Sequence, residues 1–105
     1  MPRLFQQKRD LAFYREVELA VQKVFEENPS AAFLISDIAK LVFTPSKIER
    51  NHLLWTANAA RKVAPQLGWA RGVAWRFDGK IAYFNPHNRR SVELYKIMFA
   101  DQSIQ

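Results

Sequence analysis

Ten lysines and arginines fall between positions 40 and 90: Lys40, Lys47, Arg50, Arg61, Lys62, Arg71, Arg76, Lys80, Arg89 and Arg90. Only Glu49 and Asp78 oppose them, so this segment carries +8. The two flanks together hold six basic and eight acidic residues, a net of −2, and the whole 105-residue chain has a formal charge of +6. A surface charged only for solubility mixes the signs. A segment of one sign suits a polyanion, because each neutralised phosphate releases condensed counterions. The plain alternative is a basic face with no partner.

Within the basic segment, Asn51, Trp55, Asn58 and Lys62 recur at steps of four, three and four, which is one stripe of a helix, and Arg50 and Arg61 flank it. Asparagine pairs with N6 and N7 of adenine, and arginine with O6 and N7 of guanine. Each good bidentate pair is worth ~1–3 kcal/mol of discrimination. Lysines, and an arginine on a hairpin, hold phosphates, which sets register without reading sequence. In the plain reading both asparagines are ordinary surface residues. Trp55 is expected to pack beneath the last helix rather than to stack on a sugar or base, since large tryptophans are seldom left exposed.

Catalytic chemistry finds little to work with. The two histidines, His52 and His87, lack ligand spacing, and Glu49 with His52 reads as a surface pair one helical turn apart. The three glycines, Gly68, Gly72 and Gly79, form no phosphate loop. Asp37, Glu49 and Asp78 each have a structural role in a cap, a capping box or a turn. No convergent acid, base and nucleophile set exists, so the expectation is no enzyme, no cofactor and no metal.

Composition narrows the class. Hydrophobic residues make up 49% of the chain, too many for a disordered tail. Cysteine is absent, which removes disulfides and thiolate metal sites. The first ten residues lack the apolar stretch of a signal peptide, and no apolar run approaches the ~18 residues of a membrane span. The length suits one domain, 1–105. The expectation is a soluble intracellular protein, cytoplasmic or nucleoid-associated, or nuclear in a eukaryote.

The elements that must carry these residues follow from periodicity. Phe13, Val17, Ala20, Val21 and Val24 predict a helix from about Asp10 to Glu27, stopped at Asn28-Pro29. Residues 1–9 read as a basic arm or an extension of that helix. Ala31 to Ile35 reads as a short strand. Ser36 reads as the N-cap of a short helix over Asp37–Phe43. Ser46-Lys47-Ile48-Glu49 fits a capping box and opens a helix from Lys47 to about Ala64, with Leu53, Ala57, Ala60 and Ala64 facing inward and Leu54 beside them. Pro65 and Gly68 close it.

From Trp69 to Asn85 the period changes to two, and Asp78-Gly79 predicts a two-residue hairpin turn. That turn pairs Trp75 with Ala82 and Val73 with Phe84. A last, apolar helix runs from near Asn88 or Ser91 to about Ala100, with a tail to 105.

The order helix, short strand, helix, helix, hairpin over residues 11–85 resembles the winged-helix form of the helix-turn-helix. The fold class is thus expected to be mainly α with a small β-hairpin, plus a C-terminal helix. The resemblance implies that the third helix enters the DNA major groove with Lys47, Arg50, Asn51, Asn58, Arg61 and Lys62. It also implies that the hairpin tip, residues 76–80, meets the backbone or minor groove through Arg76 and Lys80. Ser36, Arg71, Arg89 and Arg90 are candidate backbone contacts. The expected function is a small DNA-binding transcriptional regulator on double-stranded DNA, a homodimer through its first and last helices. The alternatives are a protein–protein interaction module, a subunit of a nucleic-acid-processing complex, or RNA or nonspecific nucleic-acid binding.

Overall fold

The computed structural model of the chain describes residues 11–104, with side-chain burial through residue 99. The basic arm or helix extension expected over residues 1–9 lies outside them. The described chain is mainly helical, with a small three-stranded antiparallel sheet. Helix α1 spans Leu11–Glu27, strand β1 Ala32–Leu34, α2 Ile35–Phe43 and α3 Arg50–Gln66. Strand β2 spans Ala70–Ala74, a 3-10 turn Trp75–Phe77, β3 Lys80–Phe84 and α4 Arg89–Ile104.

Helix α1 forms where the apolar spacing predicts it, burying Val17, Val21 and Phe25 on one stripe. It ends as Asn28 turns its side-chain amide back to the Val24 carbonyl at 2.8 Å. The two following caps differ from expectation. Strand β1 runs into α2 without a linker, so Leu34 is the N-cap and Ser36 lies inside the first turn. Asp37 supplies the acceptor, taking the Leu34 N–H at 3.0 Å. Helix α3 likewise begins at Arg50, leaving Ser46 and Lys47 in the preceding bend. Glu49 is its N-cap, and its N–H donates to Nδ1 of His52 at 3.0 Å. An imidazole one turn in thus takes the glutamate's half of the expected serine–glutamate exchange, accepting the N–H of the cap residue.

Pro65 sits inside the last turn of α3. Gly68, with φ of 80°, then closes the helix as Trp69 N–H bonds the Ala64 carbonyl and Gly68 N–H that of Pro65.

The sheet order is β1-β3-β2. Asp78 and Gly79 do adopt positive φ, 61° and 72°. The hairpin register nevertheless departs from the predicted one. Trp75–Phe77 coil into the 3-10 turn, and Gly79 N–H closes a longer loop on the Ala74 carbonyl. Ala74 therefore pairs with Lys80, Val73 with Ile81 and Gly72 with Ala82. Burial accounts for the shift. Ala74 and Ala82 are fully buried, with Leu34 beside them, under Tyr95 and Met98 of α4. The bulky Trp75 and Phe77 leave the strand at the tip, 45% and 43% exposed.

Successive residues of a strand face opposite sides. The other face of the sheet carries Phe33 and Tyr83, register partners that pack on Phe25 of α1 and on Ala59, Ala60, Val63 and Ala64 of α3. The sheet is thus the middle of three layers, with α1 to α3 on one side and α4 on the other. Helix α4 runs past Ala100, the end expected for it, to Ile104. Ser91 is fully buried and pins the start of α4: its hydroxyl donates to the Ala31 carbonyl and accepts the Asn85 N–H, each at 2.6 Å.

The hydroxyl of Tyr95 accepts the Val73 N–H at 3.2 Å and donates to the Val73 carbonyl at 3.3 Å, so it occupies the backbone of an edge strand. Such edges otherwise invite pairing with another chain. Gly72 makes the approach possible, because a Cβ there would collide with the phenol. Gly72→Ala is expected to lower stability by about 1–3 kcal/mol in urea denaturation, through displacement of Tyr95. A change below about 0.5 kcal/mol would show that the phenol relocates freely. Thr56 is fully buried, and its hydroxyl has no hydrogen-bond partner among the described residues. Thr56→Val is therefore expected to raise stability by about 1 kcal/mol, and a loss of that size would show that the hydroxyl has a partner.

Candidate nucleic-acid interface

Helix α3 presents five of the twelve candidate residues, more than any other element, and its inward face decides where they point. The buried positions are Thr56, Ala59, Ala60, Val63 and Ala64. Leu53 and Ala57, expected in the core, are only half-buried, and Leu54 is 49% exposed. The helix is therefore turned so that α1 and the sheet take the Thr56–Val63 side. Trp55 is half-buried and packs on Phe13 of α1, ring centroids 5.1 Å apart, and on Phe43 at 5.7 Å. This corrects the expected packing of Trp55 beneath the last helix: α1 and the end of α2 lie on that side of α3.

The stripe formed by Arg50, Leu53, Leu54, Ala57, Arg61, Ala64 and Pro65 faces the hairpin. Two concavities lie end to end along it. The first, about 430 Å³, is lined by Leu34, Ile35, Ser36, Arg50, Leu53, Leu54, Ala57, Lys80 and Ile81. The second, about 500 Å³, is lined by Arg61, Ala64, Pro65, Trp69, Arg71 and Tyr83. One wall is α3 and the other is the hairpin. At 1.5 Å per residue, Arg50 and Arg61 stand about 16 Å apart along α3. Lys80 and Arg71 stand on the opposite wall. Among the described residues, no acidic side chain lines either concavity, and none forms an ion pair with these four cations.

The remaining candidates disperse around this groove. Asn51 and Asn58 are exposed on α3; Asn58 also lines a shallow recess with Tyr14, Val17, Glu18, Trp55 and Ala59. Lys62 leans to α1 and pairs with Glu18 at 3.4 Å. Lys47 is exposed but precedes α3 rather than belonging to it. Ser36 lines the apolar concavity from within the first turn of α2. Arg76 is exposed on the 3-10 turn of the hairpin tip. Arg89 and Arg90 are exposed in the first turn of α4, where Arg89 lies 3.8 Å from Glu93. The cap there is Asn88, whose side-chain carbonyl accepts the Ser91 N–H at 3.2 Å.

Two features were not anticipated from sequence. One is the apolar floor made by the exposed Leu54 and Ile81. Its signal was the Thr56-Ala59-Ala60-Val63-Ala64 spacing, which turns Leu54 outward. The other is the placement of Arg61 and Arg71 at one concavity, which depends on the hairpin register. The described residues hold no group of three metal-ligating side chains, and no helix among them is long and apolar enough to cross a membrane. Comparison with family models, curated proteins and solved structures yielded no match for this chain.

Proposed function

We propose that the protein is a winged-helix nucleic-acid-binding protein, a small transcriptional regulator that holds duplex DNA between α3 and the hairpin. The observation that carries this reading is the groove with Arg50 and Arg61 on one wall, Arg71 and Lys80 on the other, and no acid among the described residues lining it. The element order and the β1-β3-β2 sheet suit the winged-helix arrangement. In this reading α3 enters the major groove with Asn51 and Asn58 toward base edges. One sugar–phosphate strand runs between α3 and the hairpin, and the four cations meet its phosphates. The exposed Leu19 of α1 and Ile97 and Phe99 of α4 support pairing of two copies through these helices, which suits paired half-sites.

A second reading has its own support. The first concavity is apolar apart from Ser36 and its basic rim, Arg50 and Lys80. That combination suits an acidic amphipathic segment of a protein partner.

Duplex binding measured by anisotropy across a salt series separates the two. Four phosphate contacts on each protomer contribute about −3.6 to the slope of log K against log salt, so a dimer on paired half-sites gives about −7. Arg50→Gln or Lys80→Gln is expected to reduce the slope by about 1 per protomer and to weaken all sequences alike. Asn51→Ala or Asn58→Ala is expected to change sequence preference instead. Absence of duplex binding at low salt would sink the nucleic-acid reading. Light scattering at micromolar concentration is expected to give twice the 12.3 kDa chain mass, and a monomer would remove the dimer from the proposal.

A further inference from the structure

The groove has two unlike ends. Arg61 of α3 and Arg71 of β2 line one concavity and lack a carboxylate partner among the described residues. Both arginines line the same recess and are exposed, so an anion bound there meets two like charges that nothing else among the described residues neutralises. Each offers a planar fork of donors that matches a phosphate bidentately, which a lysine cannot do. The remaining lining is apolar and rigid. Ala64, Trp69 and Tyr83 are buried, and both aromatic rings are held against Phe25, at 4.5 and 5.9 Å between centroids. Arg71 is the register partner of Tyr83, so its backbone is fixed on the sheet. A volume of about 500 Å³ is larger than a phosphate alone needs and leaves room for an attached sugar against Pro65 and Trp69.

We propose that the recess between Arg61 and Arg71 is a phosphoester-binding site that takes one phosphate with its sugar. On the nucleic-acid reading above, from which it follows, this is where one backbone phosphate is clamped. The same chemistry would accept a free nucleoside monophosphate. The other end of the groove lacks this capacity, because Arg50 and Lys80 rim an apolar floor and Lys80 has no fork.

The test is a titration of the full chain with inorganic phosphate, a nucleoside 5′-monophosphate and a duplex, followed by NMR of the arginine Nε–H and tryptophan indole N–H groups. Saturable shifts at Arg61, Arg71 and Trp69 are expected, with the nucleotide binding more tightly than phosphate. Arg71→Gln is expected to weaken the nucleotide about tenfold or more, and Arg71→Lys nearly as much, because the charge stays but the fork is lost. Lys40→Gln, an exposed change on α2, is expected to alter binding less than twofold. Thermal unfolding of each variant establishes that the fold is retained.

Non-saturable shifts spread over all arginines would overturn the site, as would equal effects of Arg71→Gln and Lys40→Gln. Duplex binding that ignores Arg71 would overturn the clamp while leaving the nucleic-acid reading intact. Nucleotide binding that needs Arg71, without duplex binding, would support the site for a free ligand and overturn the nucleic-acid reading.

Discussion

Phe25 is the contact on which the groove depends. It is fully buried and reaches Trp69 at 4.5 Å, Tyr83 at 5.9 Å and Phe33 at 6.2 Å between ring centroids. Those four rings come from α1, β1, β3 and the segment that turns out of α3. Aromatic pairs of this kind contribute about 0.5–1.5 kcal/mol beyond their buried area. Their geometric effect matters more here. Trp69 fixes where β2 starts, Tyr83 fixes β3 beside it, and both form the floor between Arg61 and Arg71. The alanines of α3, Ala59, Ala60 and Ala64, let that helix approach the same cluster closely. Removing Phe25 would leave a cavity under both walls, at roughly 3–5 kcal/mol. That is a large share of the stability of a domain this size.

The hairpin is held from its other side by α4. Ser91 ties the start of α4 to the end of β3 and to the entrance of β1 through two part-buried hydrogen bonds. Tyr95 closes the free edge of β2 and stacks on Phe84 at 4.2 Å. The wall that carries Arg71 and Lys80 is therefore clamped between two packed layers. This matters electrostatically. Cations facing each other across one groove weaken the folded state by mutual repulsion, screened because they are exposed, and packing and hydrogen bonds elsewhere offset that. A preformed groove also spares a polyanionic ligand the entropy of ordering its own site. The rigidity supplied by Phe25 on one side and Tyr95 on the other thus serves both folding and the proposed binding.

Local signals in the sequence carried much of this. The stripe of Val17 and Val21 marks α1, Asn28-Pro29 its end, and Gly68 the end of α3. Asp78-Gly79 marks a turn with two left-handed residues, and the short strand after Pro29 is present. What was not legible depended on distant partners. The strand register shifted because Ala74 and Ala82 lie beneath Tyr95, a residue outside the hairpin. Phe25 extends the α1 stripe by one turn beyond Val21, yet its rank as the hub emerges only from rings far along the chain. The α3 stripe was turned because alanines are nearly neutral in pattern reading, so Leu53 and Leu54 dominated it. Packing then favoured the small residues, where backbones can meet, and left Leu54 outside. The caps moved for a local reason: Asp37 and His52, each at the third helical position, accept the backbone N–H of the cap residue, a role that pattern rules assign to Glu or Gln.

The two ends of the groove place different demands on a ligand, and this separates the two functional readings more sharply than total charge does. Both the nucleic-acid and the protein-partner readings use Arg50 and Lys80 as a rim, because phosphates and acidic side chains are both anions. They diverge at the floor. Leu53, Leu54, Ala57 and Ile81 offer apolar contact and almost no hydrogen bonding, which suits sugar carbons or thymine methyls as readily as a leucine from a partner. Arg61 and Arg71 offer forked donors over a rigid aromatic floor, which favours a phosphate over an isolated carboxylate only if the ligand also fills the space beside it. A ligand that satisfies both ends at once must be about 16 Å long, carry anions at both ends of that length, and present an apolar edge between them. A sugar–phosphate strand meets all three conditions with a repeating unit. A peptide needs a particular sequence to do so, and that difference is why the nucleic-acid reading ranks first.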